Sequence, residues 1–237
     1  MKAIRKAVFP VAGMGTRFLP ATKVMPKELF PIVDRPLLQY AVDEALEAGI
    51  EQMIFVNGRG KGMIEDHFDM AYELERTMAD RAKDRSVLDG TRLRPGDCVF
   101  VRQQEPLGLG HAIWCARDII GDEPFAIFLP DEFMVGSPGC MKQMVSAYDK
   151  LGGNIVCALE IPIEDTPSYG VIDPGYRDGP ITEVKGLVEK PPAGFDGKRY
   201  DCGSKQGYVE ANLAMALAHP EIGSDIRAMA EKLLAES

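Results

Sequence analysis

The chain has 237 residues, of which 46% are hydrophobic and 27% charged, enough for a sizeable core in one large or two small globular domains. Its formal net charge of −9 argues against general nucleic-acid binding, which needs a basic stripe, yet permits a small polyanion in a locally basic cleft. Five scattered cysteines (Cys98, Cys115, Cys140, Cys157, Cys202) without a C-x-x-C pair read as reduced thiols of a cytoplasmic protein, not a disulfide framework or zinc site.

In chain order, KAVFPVAG (6–13) is a short apolar run ending in glycine, the pattern of a buried parallel strand. Pro10, Gly13 and Gly15 interrupt the basic and apolar start, and Arg17 follows, so no signal peptide is expected. No apolar run is long enough to cross a bilayer. Apolar residues from Leu37 to Leu46 fall on one helical stripe, with Asp34 and Pro36 before it and Gly49 after it. QMIFVNG (52–58) predicts the next strand, and a long charged helix is expected over about 61–83. CVFVRQ (98–103) and PFAIFLPD (124–131) read as strands, with a helix over GLGHAIWCARDII between them. NIVCALEIPI (154–163) reads as another strand. YGVIDPG and ITEVKGLVEKP read as a hairpin-like pair turning at YRDG, and Ile226, Met229, Ala230, Leu233 and Leu234 mark a final helix.

Strands alternating with helices imply right-handed crossovers. The expected fold class is α/β: a Rossmann-like, mixed but mostly parallel sheet flanked by helices. Ligands of such sheets bind at the carboxyl ends of the strands, where Gly13, Gln103 and Asp131 all fall.

The first loop holds Gly13 and Gly15 but has Phe18 where a G-x-G-x-x-G motif needs its third glycine, and it lacks P-loop spacing. On its own it is a weak signal. Arg17 and Lys27 strengthen it: two unit charges about 4 Å apart interact by about 4 kcal/mol at an effective dielectric of 20, so two well-placed cations can hold a triphosphate. Lys23 reads equally well as a solvated loop cation. Asp131 in FLPDEF can supply a carboxylate to Mg²⁺, or can simply form a Pro-Asp turn. His111 is expected to be structural, His67 and His219 to lie at the surface, and Trp114, Met141 and Met144 to pack in the core. The chain offers no Ser-His-Asp or Cys-His arrangement for nucleophilic catalysis.

GMGTRFLPATKVMPKELFPI resembles the signature of the sugar-nucleotide pyrophosphorylases. RQQEPLGLGHAIWCA, LPDEF, YGVIDP, EVKGLVEKP and RYDCGSKQGYVEANLAMAL resemble, in order, the bacterial UTP–glucose-1-phosphate uridylyltransferases. The resemblance runs from about residue 3 to residue 220. It implies a nucleotide-diphospho-sugar transferase fold in a single domain, with a nucleotide-binding part over about 1–135, a sugar-binding part over about 136–205 and terminal helices over 206–237. Ala12, Gly13 and Gly15 are then implied as backbone contacts to the nucleotide, and Gln103 and Gly108 as readers of the pyrimidine base. Arg17 is implied to grip the leaving pyrophosphate, and Lys27 to neutralise the α-phosphate. Gly170, Glu189 and Lys190 match the sugar-phosphate subsite, with Lys190 on the attacking phosphate. Asp131 and Asp201 match the two Mg²⁺ ligands.

The implied substrates are UTP and glucose 1-phosphate, the implied product UDP-glucose, and the implied assembly a homodimer or homotetramer. In the family, several dozen residues separate the VEKP and RYDCG motifs, whereas here PAGFDGK alone lies between Pro191 and Arg199. The intact flanking motifs favour missing residues over a functional deletion. A real deletion would leave a shortened, non-catalytic nucleotide-binding homologue. An enzyme using dTTP or another sugar 1-phosphate is the further alternative.

Overall fold

The computed structural model describes residues 1–159, 170–188, 198–201 and 205–236. The chain divides into two compact units: Ile4–Phe133 with Arg199–Ser237, and Met1–Ala3 with Met134–Lys198.

In the first unit, β1 (Lys6–Pro10) leads into three short 3-10 turns, Thr16–Phe18, Ala21–Lys23 and Lys27–Leu29. These are followed by β2 (Pro31–Ile32), β3 (Arg35–Pro36), α1 (Leu37–Glu47) and β4 (Gln52–Asn57). Next come α2 (Gly62–Phe68), α3 (Tyr72–Asp80), β5 (Cys98–Arg102), α4 (Leu109–Cys115), α5 (Arg117–Ile120) and β6 (Phe125–Ile127). Beyond them lie β7 (Glu132–Val135), α6 (Cys140–Leu151), the antiparallel hairpin β8 (Val171–Asp178) and β9 (Ile181–Val188), β10 (Lys198–Asp201), α7 (Lys205–Ala218) and α8 (Gly223–Glu236). A two-stranded ladder joins β7 and β10.

The main sheet has the order β5-β4-β1-β6, and every pairing in it is parallel. Because side chains alternate across a strand, one face of this sheet carries Val8, Ile54 and Val56 against Ala112, Ala116 and Ile120 of the α4–α5 segment. The other face carries an aromatic stack, in which Phe9 lies 5.0 Å from both Phe55 and Phe128, and Phe55 lies 5.1 Å from Phe68 and 5.2 Å from Phe100. Burial on both faces explains why these strands read as continuous apolar runs.

Several expectations need correction. The single helix over 61–83 is two helices, because Asp69 turns extended (ψ 171°) and its own Oδ1 accepts the Met70 N–H at 2.7 Å, a side-chain competitor for the helix backbone. The 124–131 strand ends early. Phe128 still donates to Val8, but Pro130 has no N–H to give, and the Glu132 N–H closes a turn onto Leu129 O at 2.9 Å. The apolar run at 154–159 forms no strand, and 160–163 lie outside the described residues. In the hairpin, Tyr176, Arg177 and Asp178 belong to β8, and Gly179 (φ 58°) carries the turn. Trp114 is 56% exposed, with the Arg117 guanidinium 3.7 Å over its ring. Helical spacing marks a stripe but does not say what covers it. His67 is half-buried instead of surface-exposed: its Nε2 lies 3.0 Å from Gln39 Oε1 and its ring packs edge-on against Phe68.

Candidate active site

All strands of the main sheet are parallel, so their carboxyl ends share one edge. Ala12 and Gly13 follow β1 there, Gly58 follows β4, Gln103 follows β5, and Asp131 lies just beyond β6. From β5 to β6 is three strand spacings, about 15 Å. The sheet order reverses beside β1, since β4 and β5 extend to one side of it and β6 to the other, and such reversals are where open α/β sheets hold ligands.

Over that reversal point, Lys27 Nζ lies 2.6 Å from Asp131 Oδ2. Two residues expected to play separate roles, one on phosphate and one on a cation, are thus brought into a single ion pair. Both are partly accessible, with side chains 20% and 33% exposed. Asp131 sits in the Leu129–Glu132 turn, so its turn-forming role and its place at the strand end hold together.

The loop leading to Lys27 is shaped by Gly15, whose φ of 65° is left-handed and whose missing Cβ would lie 2.9 Å from Thr22 Cγ2. A side chain there would be both strained and obstructed. Thr22 Oγ1 donates to Gly15 O at 2.8 Å, closing the loop on itself. Arg17 follows on the Thr16–Phe18 turn with an exposed side chain, and Lys23 is exposed as well.

Beneath Lys27 lies a pair that the sequence reading missed. Glu28 is 2% exposed and Lys61 8% exposed, with Nζ 2.6 Å from Oε2. Burial raises the Glu28 carboxyl above its ordinary range against the opposing attraction of Lys61, and burial lowers Lys61 against the attraction of Glu28. The pair ties the Lys27 turn to the segment after β4. There the Asn57 side chain donates to Glu65 Oε1 at 3.0 Å and accepts the Gly58 N–H at 2.8 Å. A Cβ on Gly58 would stand 3.1 Å from Ala12 O, so glycine allows the β4 end to approach the first loop. Asn-Gly closing an apolar strand was the available signal. Glu28, inside the apolar PKELFPI stretch, was the other.

At the β5 end, Gln103 N donates to Asn57 O at 2.9 Å. The Gln103 side-chain Nε2 donates to Gly108 O at 3.1 Å and lies 3.0 Å from His111 Nδ1. Gly108, with φ 96°, holds a conformation open mainly to glycine and starts α4. Gln103, Gly108 and His111 therefore form one cluster.

Gly170 directly precedes β8 in the second unit. Glu189 and Lys190 lie outside the described residues, and of Asp201 the strand β10 is described but not the side chain. No described cluster of three or more His, Cys, Asp or Glu side chains could cage a metal ion. One accessible carboxylate suits Mg²⁺ better than a cage would, because that ion takes one or two carboxylates and completes its shell with waters and phosphate oxygens.

A glycine-shaped loop at the carboxyl edge of a parallel sheet, with Arg17 and Lys27 at one end and an amide cluster at the other, is an arrangement suited to a nucleotide. The nucleotidyl transferase family model matches residues 6–215, and the chain belongs to that family. It is 52% identical over 193 residues to a UTP–glucose-1-phosphate uridylyltransferase of Komagataeibacter xylinus, covering 81% of this chain and 68% of that protein. It is 38% identical over 288 positions to the Bacillus subtilis (strain 168) protein of the same name, covering 99% and 98%. That alignment is longer than this chain by about fifty positions. Among solved structures, a UTP-bound UGPase from Acinetobacter baumannii superposes with a TM-score of 0.89 at 32% identity, covering 97% of this chain and 99% of that one.

Proposed function

We propose that this chain transfers UMP from UTP to glucose 1-phosphate, yielding UDP-glucose and pyrophosphate. The observation that carries the proposal is the joint placement of Lys27 with Asp131 at one end of the strand edge and of Gln103 with Gly108 at the other. A nucleotide laid across the edge has its base at β5 and its phosphates near β6. Ala12, Gly13 and Gly15 then supply backbone along its length.

The nucleophile comes with the substrate: a phosphate oxygen already ionised at neutral pH. It forms a bond to the α-phosphorus as the bond to the pyrophosphate oxygen breaks in line, and the electron pair leaves with pyrophosphate. No general base is needed, so the chain's task is to position and to stabilise charge. Lys27 neutralises the α-phosphate, Arg17 the leaving pyrophosphate, and Lys190 the attacking phosphate. Gly170 and Glu189 complete the sugar-phosphate subsite. Asp131, joined by Asp201, would hold Mg²⁺. When bound, the ion offsets negative charge on the phosphate oxygens.

At the base, Gln103 Oε1 accepts a hydrogen bond and the Gly108 N–H donates one, which matches the N3–H and C4=O of uracil. Thymine presents the same edge, so a dTTP-using enzyme is the second reading that this cluster supports. Scattered cysteines without a C-x-x-C pair support a cytoplasmic setting, and no described helix is long and apolar enough to span a membrane. A homodimer or homotetramer remains the assembly we expect.

Asp131→Asn tests the phosphate end. It is expected to lower kcat by about 10²-fold or more, with nucleotide affinity in the absence of metal changed only a few-fold. An unchanged kcat would remove Asp131 from the site.

A further inference from the structure

We propose that His111 is a positioning residue for nucleobase choice: it locks the Gln103 side chain so that the site presents an acceptor to the base, favouring a uracil-type N3–H and rejecting cytosine. This rests on the proposed role of Gln103 as the base reader.

The lock follows from hydrogen-bond chemistry. Gly108 O can only accept, so the Gln103 atom 3.1 Å from it must be the amide nitrogen. The same nitrogen lies 3.0 Å from His111 Nδ1. An amide nitrogen has no lone pair to offer, so Nδ1 must accept and the ring proton must sit on Nε2. Nε2 in turn lies 3.9 Å from Cys115 Sγ, a weak acceptor one helical turn further along α4. The imidazole is also held flat: it stacks on Trp114 at 5.7 Å and 23°, and Arg117 lies 3.7 Å over that indole.

Both Gln103 donors are thereby used inside the protein, and Oε1 is what remains for a ligand. Uracil and thymine carry a donor at N3. Cytosine carries a lone pair there, so it would meet acceptor against acceptor. Turning the amide to suit cytosine would set Oε1 against Gly108 O and would require the His111 proton to move from Nε2 to Nδ1, giving up the Gly108 hydrogen bond and the Nε2 contact to Cys115. With His111 absent, only Gly108 O resists that flip, and the discrimination weakens.

The test compares kcat/KM for UTP and CTP in the full-length protein with glucose 1-phosphate and Mg²⁺. His111→Phe keeps a flat ring and deletes the acceptor. It is expected to reduce the UTP-over-CTP ratio about tenfold, mainly through the nucleotide KM. His111→Asn, which keeps an acceptor oxygen near the Nδ1 position, is expected to restore most of the ratio. Equal losses for both nucleotides in His111→Phe would assign the residue to stability alone and overturn the proposal. Should His111→Phe not fold, ¹⁵N NMR of the wild-type ring decides: a bare Nδ1 with a protonated Nε2 is expected, and the opposite tautomer overturns the proposal. Gln103→Ala separates the two layers. If the ratio survives in Gln103→Ala, the base-reading role of Gln103 has failed. If it collapses there but not in His111→Phe, only the positioning role has failed.

Discussion

Lys61 shows how a buried side chain can hold the turn that carries a candidate site residue. Its ammonium lies against Glu28 in a nearly dry site, and Glu28 adjoins Lys27 in sequence. Lys61→Met leaves a buried carboxylate unpaired and is expected to destabilise the protein by about 3–5 kcal/mol, whereas Lys61→Met with Glu28→Leu recovers most of that loss. Denaturant unfolding of the single and double variants checks both values, and a single variant as stable as the double would contradict them. His67 gives a separate, pH-dependent signature. Burial lowers its pKa from the ordinary 6.5, with nearby Asp43 opposing. The folded protein therefore resists protonation there, and the unfolded chain binds the extra proton first. The sign follows from linkage: the contribution is present in full above pH 6.5 and is lost as pH falls from there through the lowered folded value. Stability measured along that descent should fall less steeply in His67→Gln than in the wild type. Parallel curves would contradict the assignment.

Among the elements, the loop after β1 and the segment after β4 act as one surface because glycine lets them touch. Gly58→Ala puts a methyl group 3.1 Å from Ala12 O and 3.3 Å from its Cα, both backbone atoms that yield poorly. The expected result is about 1–3 kcal/mol lost together with a raised KM for the nucleotide. A loss of stability with an unchanged KM would separate this contact from the site. The strands of this sheet were legible in the sequence because burial on both faces writes them as apolar runs, and α1 because one apolar stripe faces the core. The helix break at Asp69 was not, since it depends on a single side chain bonding the next N–H. The end of β6 was missed for a similar reason: apolarity continues through Phe128 and Leu129, but pairing stops ahead of Pro130. At the site, motif residues could be named because they resemble a family pattern. The Lys27–Asp131, Glu28–Lys61 and Gln103–His111 partnerships join residues far apart in the chain or on different turns, and sequence spacing carries no trace of them.

At the scale of the whole molecule, an acidic chain places Lys27 and Arg17 near the carboxyl edge of its sheet. A net charge of −9 disfavours long polyanions, while Lys27 and Arg17 near β1 make one locally favourable place for a short one. Uridylyl transfer is measured as pyrophosphate release from UTP and glucose 1-phosphate with Mg²⁺, with dTTP, CTP and ATP in parallel and the nucleotide-sugar product identified by mass. The expected products are UDP-glucose and pyrophosphate in equal amounts, with rates highest with UTP or shared with dTTP, little product from CTP or ATP, and loss of turnover on chelating the metal. Folded protein that binds UTP yet releases no pyrophosphate with any of these nucleotides would contradict uridylyl transfer and leave a nucleotide-binding homologue without catalysis.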